Sequence, residues 1–289
     1  MIGYKIFRLF TKIILHLPWS WCYGISSFFA FVLNNVVKYR RDVAITNLSK
    51  SFPEKSQKEI SAILKKTYRN ISDIFIEVVR TEKLSKEELH SRIELNGLEI
   101  LDKLYDSGKS VIILTGHLGN WEWMGPRLQY DIKYDGHVAY KPLSNKYFDE
   151  YMNMLRSHFF TDRMVYFKTI LRFILSHRKE LKTYILAADQ TPTKTEIGCW
   201  IEFLNQETGF FTGGERIAST VGFAVVFLDN KRTKRGHYKV DISLLSEDAS
   251  KEEEFAITKK FAQKLEESLK EQPDNWLWTH KRWKHKREN

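Results

Sequence analysis

The strongest restriction on the fold comes from short apolar runs that alternate with helical patterns. Four runs have the composition and length of buried strands, at residues 110–115, 183–188, 223–228 and 238–243. Amphipathic stretches separate or follow them, at residues 147–159, 170–181, 214–220 and 252–270. Strands that alternate with helices predict an α/β layer fold, in which a mixed or largely parallel central sheet is flanked by helices.

A long amphipathic helix is predicted upstream of the first strand. Apolar residues recur at helical spacing over residues 58–80, and the stretch SFPE at 51–54 resembles a helix start. No internal repeat or low-complexity linker interrupts the pattern that follows. Residues 38–289 are therefore expected to form one domain.

The N-terminal stretch 13–37 carries no formal charge and is rich in aromatic residues. It is long enough to cross ~30 Å of hydrocarbon as a helix. Pro18, which tryptophans follow, indicates a break in that helix with the indoles at the interface. Residues 1–37 are therefore predicted to be a hydrophobic, helical membrane anchor. Because basic residues flank both ends equally, a segment lying in the interface is favoured over a simple span, and a buried core helix is the alternative.

The charge of the chain restricts its partners. The net charge of +10 and the isoelectric point near 9.3 favour anionic partners, which include nucleic acid, phospholipid headgroups and acidic or phosphorylated carriers. Cys22 and Cys199 lie far apart without metal-ligand spacing, so neither a disulfide framework nor a zinc site is indicated. With no glycine-rich phosphate loop or acidic metal cluster in the sequence, no cofactor is predicted.

The motif TGHLGNWE follows the first apolar run and contains a candidate general base. On a continuous helix His117 and Glu122 would lie ~140° apart and could not meet. If the strand ends before the histidine and a new helix begins with Asn120 as N-cap, Glu122 lies in the first turn and can fold back, with Gly119 allowing the bend. A carboxylate on one imidazole nitrogen leaves the other to accept a proton. The alternative is a histidine that only hydrogen-bonds within a turn.

Several ordered motifs follow one another along the chain. The pattern His-x-Gly-Asn-Trp-Glu stands at residues 117–122. The further blocks are YKP at 140–142, LAADQ at 186–190, FLNQET at 203–208, FFTGGERIA at 210–218 and QPDNWLWTHKRWK at 272–284. Together these motifs resemble those of the bacterial lipid A biosynthesis acyltransferases of the late lauroyl/myristoyl type, which are related to the glycerophospholipid acyltransferases. The resemblance covers nearly the whole chain.

This resemblance implies an α/β fold like that of the glycerophosphate acyltransferases and an O-acyltransferase activity. A fatty acyl chain would pass from an acyl carrier protein thioester to a hydroxyl of a phosphorylated lipid, a lipid A precursor in lipopolysaccharide biosynthesis. His117 would act as general base and Glu122 as its partner. The enzyme would sit at the bacterial inner membrane among membrane lipids, with its catalytic domain on the cytoplasmic face. An acceptor such as a lysophospholipid or an amino-acid lipid, with an acyl-CoA donor, is the enzymatic alternative.

Other residues are candidates for substrate binding. Arg156 can bind phosphate oxygens in bidentate fashion, and Asp189 with Gln190 ends a predicted strand, where ligands of α/β sheets gather. Arg282 belongs to a C-terminal run of basic and aromatic residues, which fits anionic lipid or an acidic carrier protein. The predicted substrate-binding residues are Gly119, Asn120, Arg156, Asp189, Gln190, Glu215 and Arg282.

A different class of protein would bind membranes or nucleic acid without catalysis. That hypothesis requires the loop of His117 and Glu122 to be incidental. No sequence signature of a nucleic-acid-binding module supports it. Nucleic acid is therefore not a predicted partner.

Overall fold

The computed structural model describes residues 2–160 and 162–287. The predicted α/β fold is confirmed. The strands of the described part are β1 (Ile93–Asn96), β2 (Val111–Thr115), β3 (Asp135–Tyr140), β4 (Met164–Tyr166), β5 (Lys182–Ala187), β6 (Ile197–Phe203), β7 (Gln206–Phe211), β8 (Ala224–Lys234) and β9 (His237–Ser246).

Seven of the strands in the described part form one sheet in the order β1-β9-β8-β2-β5-β3-β4, while β6 and β7 form a separate antiparallel hairpin. Neighbours in the large sheet are parallel except β8 and β9, which form an antiparallel pair. Strand β2 lies at the centre and is buried along its whole length. Burial on both faces explains why its sequence is a continuous apolar run.

Helices cover both faces of the sheet. They are α1 (Ile2–Ile14), α2 (Trp19–Phe31), α3 (Arg41–Ser51), α4 (Gln57–Arg80), α5 (Lys86–Arg92), α6 (Leu98–Asp106), α7 (Trp121–Gln129), α8 (Lys146–Ser157), α9 (Ile170–Ser176), α10 (Gly213–Val221) and α11 (Ala256–Glu271). Alternate residues of β2 enter two separate hydrophobic cores: Ile112 and Leu114 pack with α3, α4, α10 and α11, whereas Val111 and Ile113 pack with α6 and α7. The carboxyl end of β2 is therefore held rigidly between two packed layers.

The four predicted strands and the four predicted helices after the first strand are all present, with shifted ends. Strands β8 and β9 extend beyond their predicted apolar segments and meet as a long hairpin. The amphipathic helix predicted over residues 58–80 is confirmed as α4 (Gln57–Arg80). Only its predicted start at 51–54 is wrong: Ser56 and Glu59 form the capping box that begins α4, whereas Ser51 is the last residue of α3. The short strands β1, β3 and β4 and the hairpin β6–β7 were not predicted, because they lack a long apolar run.

The uncharged stretch 13–37 holds the last two residues of α1, the whole of α2 and a short π-helix (Val32–Val36), and the predicted break at Pro18 is confirmed. Helix α1 ends at Ile14, and Pro18 is the N-cap of α2. Within the described residues no one helix combines the length and apolarity needed to cross a bilayer; Trp19–Val36 and Arg41–Ser51 would do so only as a pair bent by 87°. Both α1 and α2 also pack on α4, where the Ser26 hydroxyl donates to Asp73 at 2.5 Å.

Candidate active site

The register of two neighbouring strands brings a histidine and an aspartate together. Thr115 at the end of β2 pairs with Ala187 at the end of β5, and the amide of Ala188 donates to the Thr115 carbonyl at 3.0 Å. His117 and Asp189 each lie two residues beyond that pair. Because the strands are parallel, both side chains emerge at the same edge of the sheet, where ligands of such sheets bind.

Asp189 holds His117 through two hydrogen bonds. Oδ1 of Asp189 lies 2.7 Å from Nδ1 of the imidazole, and Oδ2 accepts the backbone amide of His117 at 2.9 Å. Oδ2 also accepts the indole N–H of Trp276 at 2.7 Å. Burial acts to raise the pKa of this carboxyl, but the charge and hydrogen bonds of His117 and the Trp276 bond lower it to about 2. Asp189 is therefore ionised, and Nδ1 carries the proton that points at it.

The opposite nitrogen of His117 is the one that can accept a proton. Its Nε2 lies 3.3 Å from the side-chain nitrogen of Gln190, which is placed to donate to it. Burial acts to lower the pKa of the imidazole, but Asp189, with a smaller contribution from Glu122, outweighs burial and raises the pKa above the ordinary histidine value. The histidine therefore has the tautomer and the basicity of a general base.

The expected contact between Glu122 and His117 is not the one that forms. Glu122 instead accepts two hydrogen bonds from Arg156 of α8, from Nε at 2.9 Å and from Nη2 at 2.5 Å. The parallel N–H groups of a guanidinium match a carboxylate in this fork-like geometry, whereas Asp189 already occupies Nδ1 of the imidazole. Glu122 and Arg156 were both predicted as site residues, and the structure brings them together as an ion pair beside the histidine.

A glycine shapes the loop that carries His117. Gly119 has φ of 50°, and a Cβ there would lie 3.0 Å from the Asn230 carbonyl oxygen and 3.0 Å from a ring carbon of Tyr238. Its amide donates to the carbonyl of Asn275 at 3.2 Å, so the predicted bend is present and is tied to the C-terminal segment. A side chain at this position would meet both strain and collision.

Asn120 begins α7 as predicted. Its side-chain oxygen accepts the amide of Trp123 at 3.1 Å, and its side-chain nitrogen donates to Glu77 of α4 at 2.8 Å. The hydroxyl of Tyr238 donates to the same buried Glu77 carboxylate at 2.6 Å. Protein groups therefore occupy both ends of the Asn120 amide, which holds the motif loop in place.

Sequence reasoning missed Glu77 and the role of Trp276. The sequence shows only that Asp73 and Glu77 are carboxylates four residues apart in an amphipathic helix, and the structure adds that both are completely buried. Buried carboxylates require partners, and these two have them. Trp276 lies in the C-terminal block that the resemblance singled out, but its contact with Asp189 depends on the folding of distant segments.

The two remaining predicted residues lie in different surroundings. The Glu215 carboxylate accepts the backbone amide of Thr258 at 2.9 Å and the Thr258 hydroxyl, and thus links α10 to α11. The guanidinium of Arg282 is buried against the Phe210 ring, 4.5 Å from its centroid. The C-terminal basic run therefore includes a residue of the interior, not only surface residues.

A small, mainly apolar cavity of about 10 Å³ lies beside the imidazole, between α4 and the C-terminal segment. The Trp121 ring stands edge-on to His117 with 5.1 Å between ring centroids. The cavity has room for about one water molecule. Its lining residues are Asn70, Ile71, Ile74, His117, Trp121, Asp274, Asn275, Trp276 and Leu277.

Comparison with protein families supports the assignment that the motifs suggested. The family model of the bacterial lipid A biosynthesis acyltransferases matches residues 3–285. A comparison with curated protein sequences found no significant match. The family match spans both the α1–α2 region and the whole sheet with its His117 motif. The chain therefore belongs to the bacterial lipid A biosynthesis acyltransferase family and is an acyltransferase.

Proposed function

We propose that the protein transfers a fatty acyl group from an acyl carrier protein thioester to a hydroxyl of a phosphorylated lipid A precursor, with His117 as general base. The observation that carries this proposal is the imidazole held by buried Asp189, with Nε2 left to accept a proton. A hydroxyl nucleophile needs such a base.

The reaction needs one proton to move twice. The acceptor hydroxyl takes the place of the Gln190 amide at Nε2 of His117 and gives its proton to that nitrogen as its oxygen attacks the thioester carbonyl carbon. The tetrahedral adduct then collapses, the carbon–sulfur bond breaks, and the leaving thiolate takes the proton back from Nε2. Asp189 stabilises the imidazolium between these steps.

The developing oxyanion requires donors close to the histidine. Helix α7 begins directly after the loop, and the first amides of a helix have no partner within it. The Gly119 amide is already bonded to Asn275, so the amides of Asn120 and Trp121 are the proposed donors.

The pair of Glu122 and Arg156 is proposed to support the base and to contact a substrate. Glu122 adds to the negative charge that raises the pKa of His117. It occupies the Nε/Nη2 edge of Arg156, which leaves the Nη1 edge for a phosphate oxygen of a substrate.

Attachment to the bacterial inner membrane, from its cytoplasmic side, is proposed through α1 and α2, within the predicted anchor 1–37. Ile6, Leu9 and Ile13 form an exposed apolar stripe on α1, and α2 exposes Trp21 and Phe28 in addition. Basic residues precede and follow these apolar side chains, which suits an anionic lipid surface.

Helix α1 of the proposed anchor also contacts α8, the helix that carries Arg156. The Tyr4 and Tyr147 rings stack at 5.2 Å, and the Phe7 and Phe148 centroids lie 4.8 Å apart. Helix α8 is therefore placed at the same side as the proposed anchor. This arrangement would let a lipid acceptor reach the site without leaving the membrane.

An acyl transfer assay tests the catalytic proposal. Purified, detergent-solubilised protein would receive acyl carrier protein and acyl-CoA donors against lipid A precursors and lysophospholipids. We expect transfer to a lipid A precursor, and a loss of about 10²–10⁴-fold in His117→Ala with the fold intact by circular dichroism, because the base is gone. Activity of the variant within about tenfold of wild type would reject His117 as the base, and transfer to lysophospholipids alone would replace the proposed acceptor.

Membrane attachment has its own test. The double substitution Leu9→Glu and Ile13→Glu is expected to move the protein from anionic vesicles into the supernatant in a sedimentation assay, because two charges would enter the apolar stripe. Leu244→Glu on β9 is a matched control, since Leu244 is also exposed but lies outside α1 and α2. Equal vesicle binding by all three proteins would contradict this mode of attachment.

A further inference from the structure

Arg282 is a buried cation that forms no ion pair within the described residues. The residue is 2% exposed. Within the described residues, its Nε and Nη2 atoms are buried and have no hydrogen-bond partner. Burial lowers the pKa of this guanidinium to about 10, so it remains charged at neutral pH. A buried charge without partners is strongly unfavourable, because it has lost its hydration without gaining hydrogen bonds.

The nearest opposite charge does not satisfy Arg282. Asp189 attracts it from a distance, but the Asp189 oxygens already accept hydrogen bonds from His117 and Trp276, and the described residues contain no ion pair to Arg282. The contact with the Phe210 ring is weaker than the hydration that was lost.

Another buried arginine of the protein has the partners that Arg282 lacks. Arg127 is 8% exposed; its Nε donates to the Ile93 carbonyl at 3.0 Å, and its Nη1 pairs with Asp131. Both arginines are closed off from solvent, but only Arg127 has acceptors. The unsatisfied donors of Arg282 are therefore a local property and not a general feature of this fold.

Arg282 lies in the segment that closes the active-site edge of the sheet. The Thr191 hydroxyl donates to the Arg282 carbonyl at 2.8 Å, and the Thr191 amide donates to Nε2 of His280 at 3.1 Å. Thr191 follows Asp189 by two residues. Burial lowers the pKa of His280; the charge of Asp189 acts to raise it, and the charges of Arg282, His117 and Arg40 act to lower it further.

We propose that Arg282 binds a phosphate group of a substrate of the acyl transfer proposed above. The ligand is a phosphate of the lipid acceptor or the phosphate of the phosphopantetheine arm of the donor. The two free N–H groups of a guanidinium match two phosphate oxygens, and the phosphate charge balances the buried cation. Because the guanidinium is closed off from solvent, the Phe210 side chain or the loop of Thr191 must shift for phosphate to enter.

Thermal unfolding with and without inorganic phosphate tests the proposal on the full-length protein. We expect phosphate to raise the Tm of the wild type and to leave the Tm of Arg282→Met unchanged. Without phosphate, Arg282→Met should unfold no earlier than wild type, because it loses an unsatisfied charge. The matched control Arg127→Met should unfold earlier and keep its response to phosphate.

The change in Tm on addition of phosphate decides whether Arg282 binds phosphate. A Tm increase in Arg282→Met equal to that of the wild type would overturn the proposal. Arg282→Lys is a second variant to measure if Arg282→Met folds poorly. It keeps the charge but loses the paired donors, so phosphate should raise its Tm less than that of the wild type. An undiminished response of Arg282→Lys together with lost folding of Arg282→Met would also overturn the proposal, since Arg282 would then be structural.

Kinetics identify the source of the phosphate. In the first arm, phosphopantetheine and pantetheine are compared as competitors of the acyl donor. In the second arm, a phosphorylated disaccharide precursor and its dephosphorylated form are compared as competitors of the lipid acceptor. Arg282→Met should raise the KM of one substrate at least tenfold and leave the other nearly unchanged, and KM values unchanged for both would contradict the proposal. His117→Ala should retain the thermal response to phosphate, so a failure of the catalytic proposal would not be confused with a failure of this one.

Discussion

Asp189 and Glu122 are two carboxylates near the same imidazole, and they differ in the side chain that each one binds. Asp189 is 72 residues away from His117 in the chain, yet it lies 2.7 Å from Nδ1. Glu122 belongs to the same motif as the histidine but pairs with Arg156. The difference shows that the register of two parallel strands, and not spacing along the chain, selects the carboxylate partner of His117.

The two carboxylates also differ in how firmly they are held. Asp189 is completely buried, and three donors on His117 and Trp276 determine its orientation. Glu122 is half-buried, and its partner is a long side chain on another helix. A fixed acceptor can hold one tautomer of an imidazole, whereas a carboxylate that is paired with an arginine can only place charge near it.

The first prediction compares the loss of each carboxylate. Asp189→Asn is expected to reduce kcat about 10²–10⁴-fold, because the amide no longer fixes the Nδ1–H tautomer or stabilises the imidazolium. Glu122→Gln is expected to reduce kcat about tenfold. Single-turnover acyl transfer with saturating donor measures both. An equal or larger loss in Glu122→Gln would assign the orienting role to Glu122.

The second prediction concerns whether Glu122 acts together with Arg156. Because the two side chains form one ion pair, Glu122→Gln and Arg156→Met should each cost about tenfold, and the double variant should cost little more than either. A double-mutant cycle on kcat/KM measures the coupling. Losses that multiply would show that Glu122 acts on His117 independently of the arginine.

The third prediction concerns a variant that keeps Asp189 but removes one of its hydrogen-bond donors. Trp276→Phe deletes the indole donor to Oδ2 and should reduce kcat about fivefold, since a hydrogen bond to a charged group contributes about 1.5–3 kcal/mol and only part of this reaches the transition state. Trp278→Phe is the control, because the buried Trp278 indole donates to the Pro273 carbonyl instead. Equal losses in both variants would attribute the effect to packing.

The sequence predicted the elements that position His117 but not the carboxylate that His117 contacts. The apolar run before His117, the bend at Gly119 and the N-cap at Asn120 are local properties, and local patterns indicate them. Asp189 was predicted as a residue at a strand end. Its contact with His117 could not be predicted, because it depends on how β2 and β5 pair across the sheet.

Other differences have the same physical origin. Arg282 was expected in a basic C-terminal run, but the segment folds back onto the sheet and buries it, which composition does not reveal. The N-terminal stretch was predicted from its lack of charge and from Pro18, and the break at Pro18 is local. The way α2 then packs on α4 depends on polar contacts such as Tyr23 with Glu77, which lie outside any apolar pattern.

The pH dependence of single-turnover transfer tests most directly whether Asp189 is the partner of the base. Since the base must be neutral and the pKa of His117 is raised above 6.5, activity should fall as the pH drops through a value above 6.5. Asp189→Asn removes the main raising influence and leaves burial, which lowers the pKa, so the acidic limb should move to lower pH. Glu122→Gln should move it less. A limb that moves in Glu122→Gln but stays in place in Asp189→Asn would contradict the account.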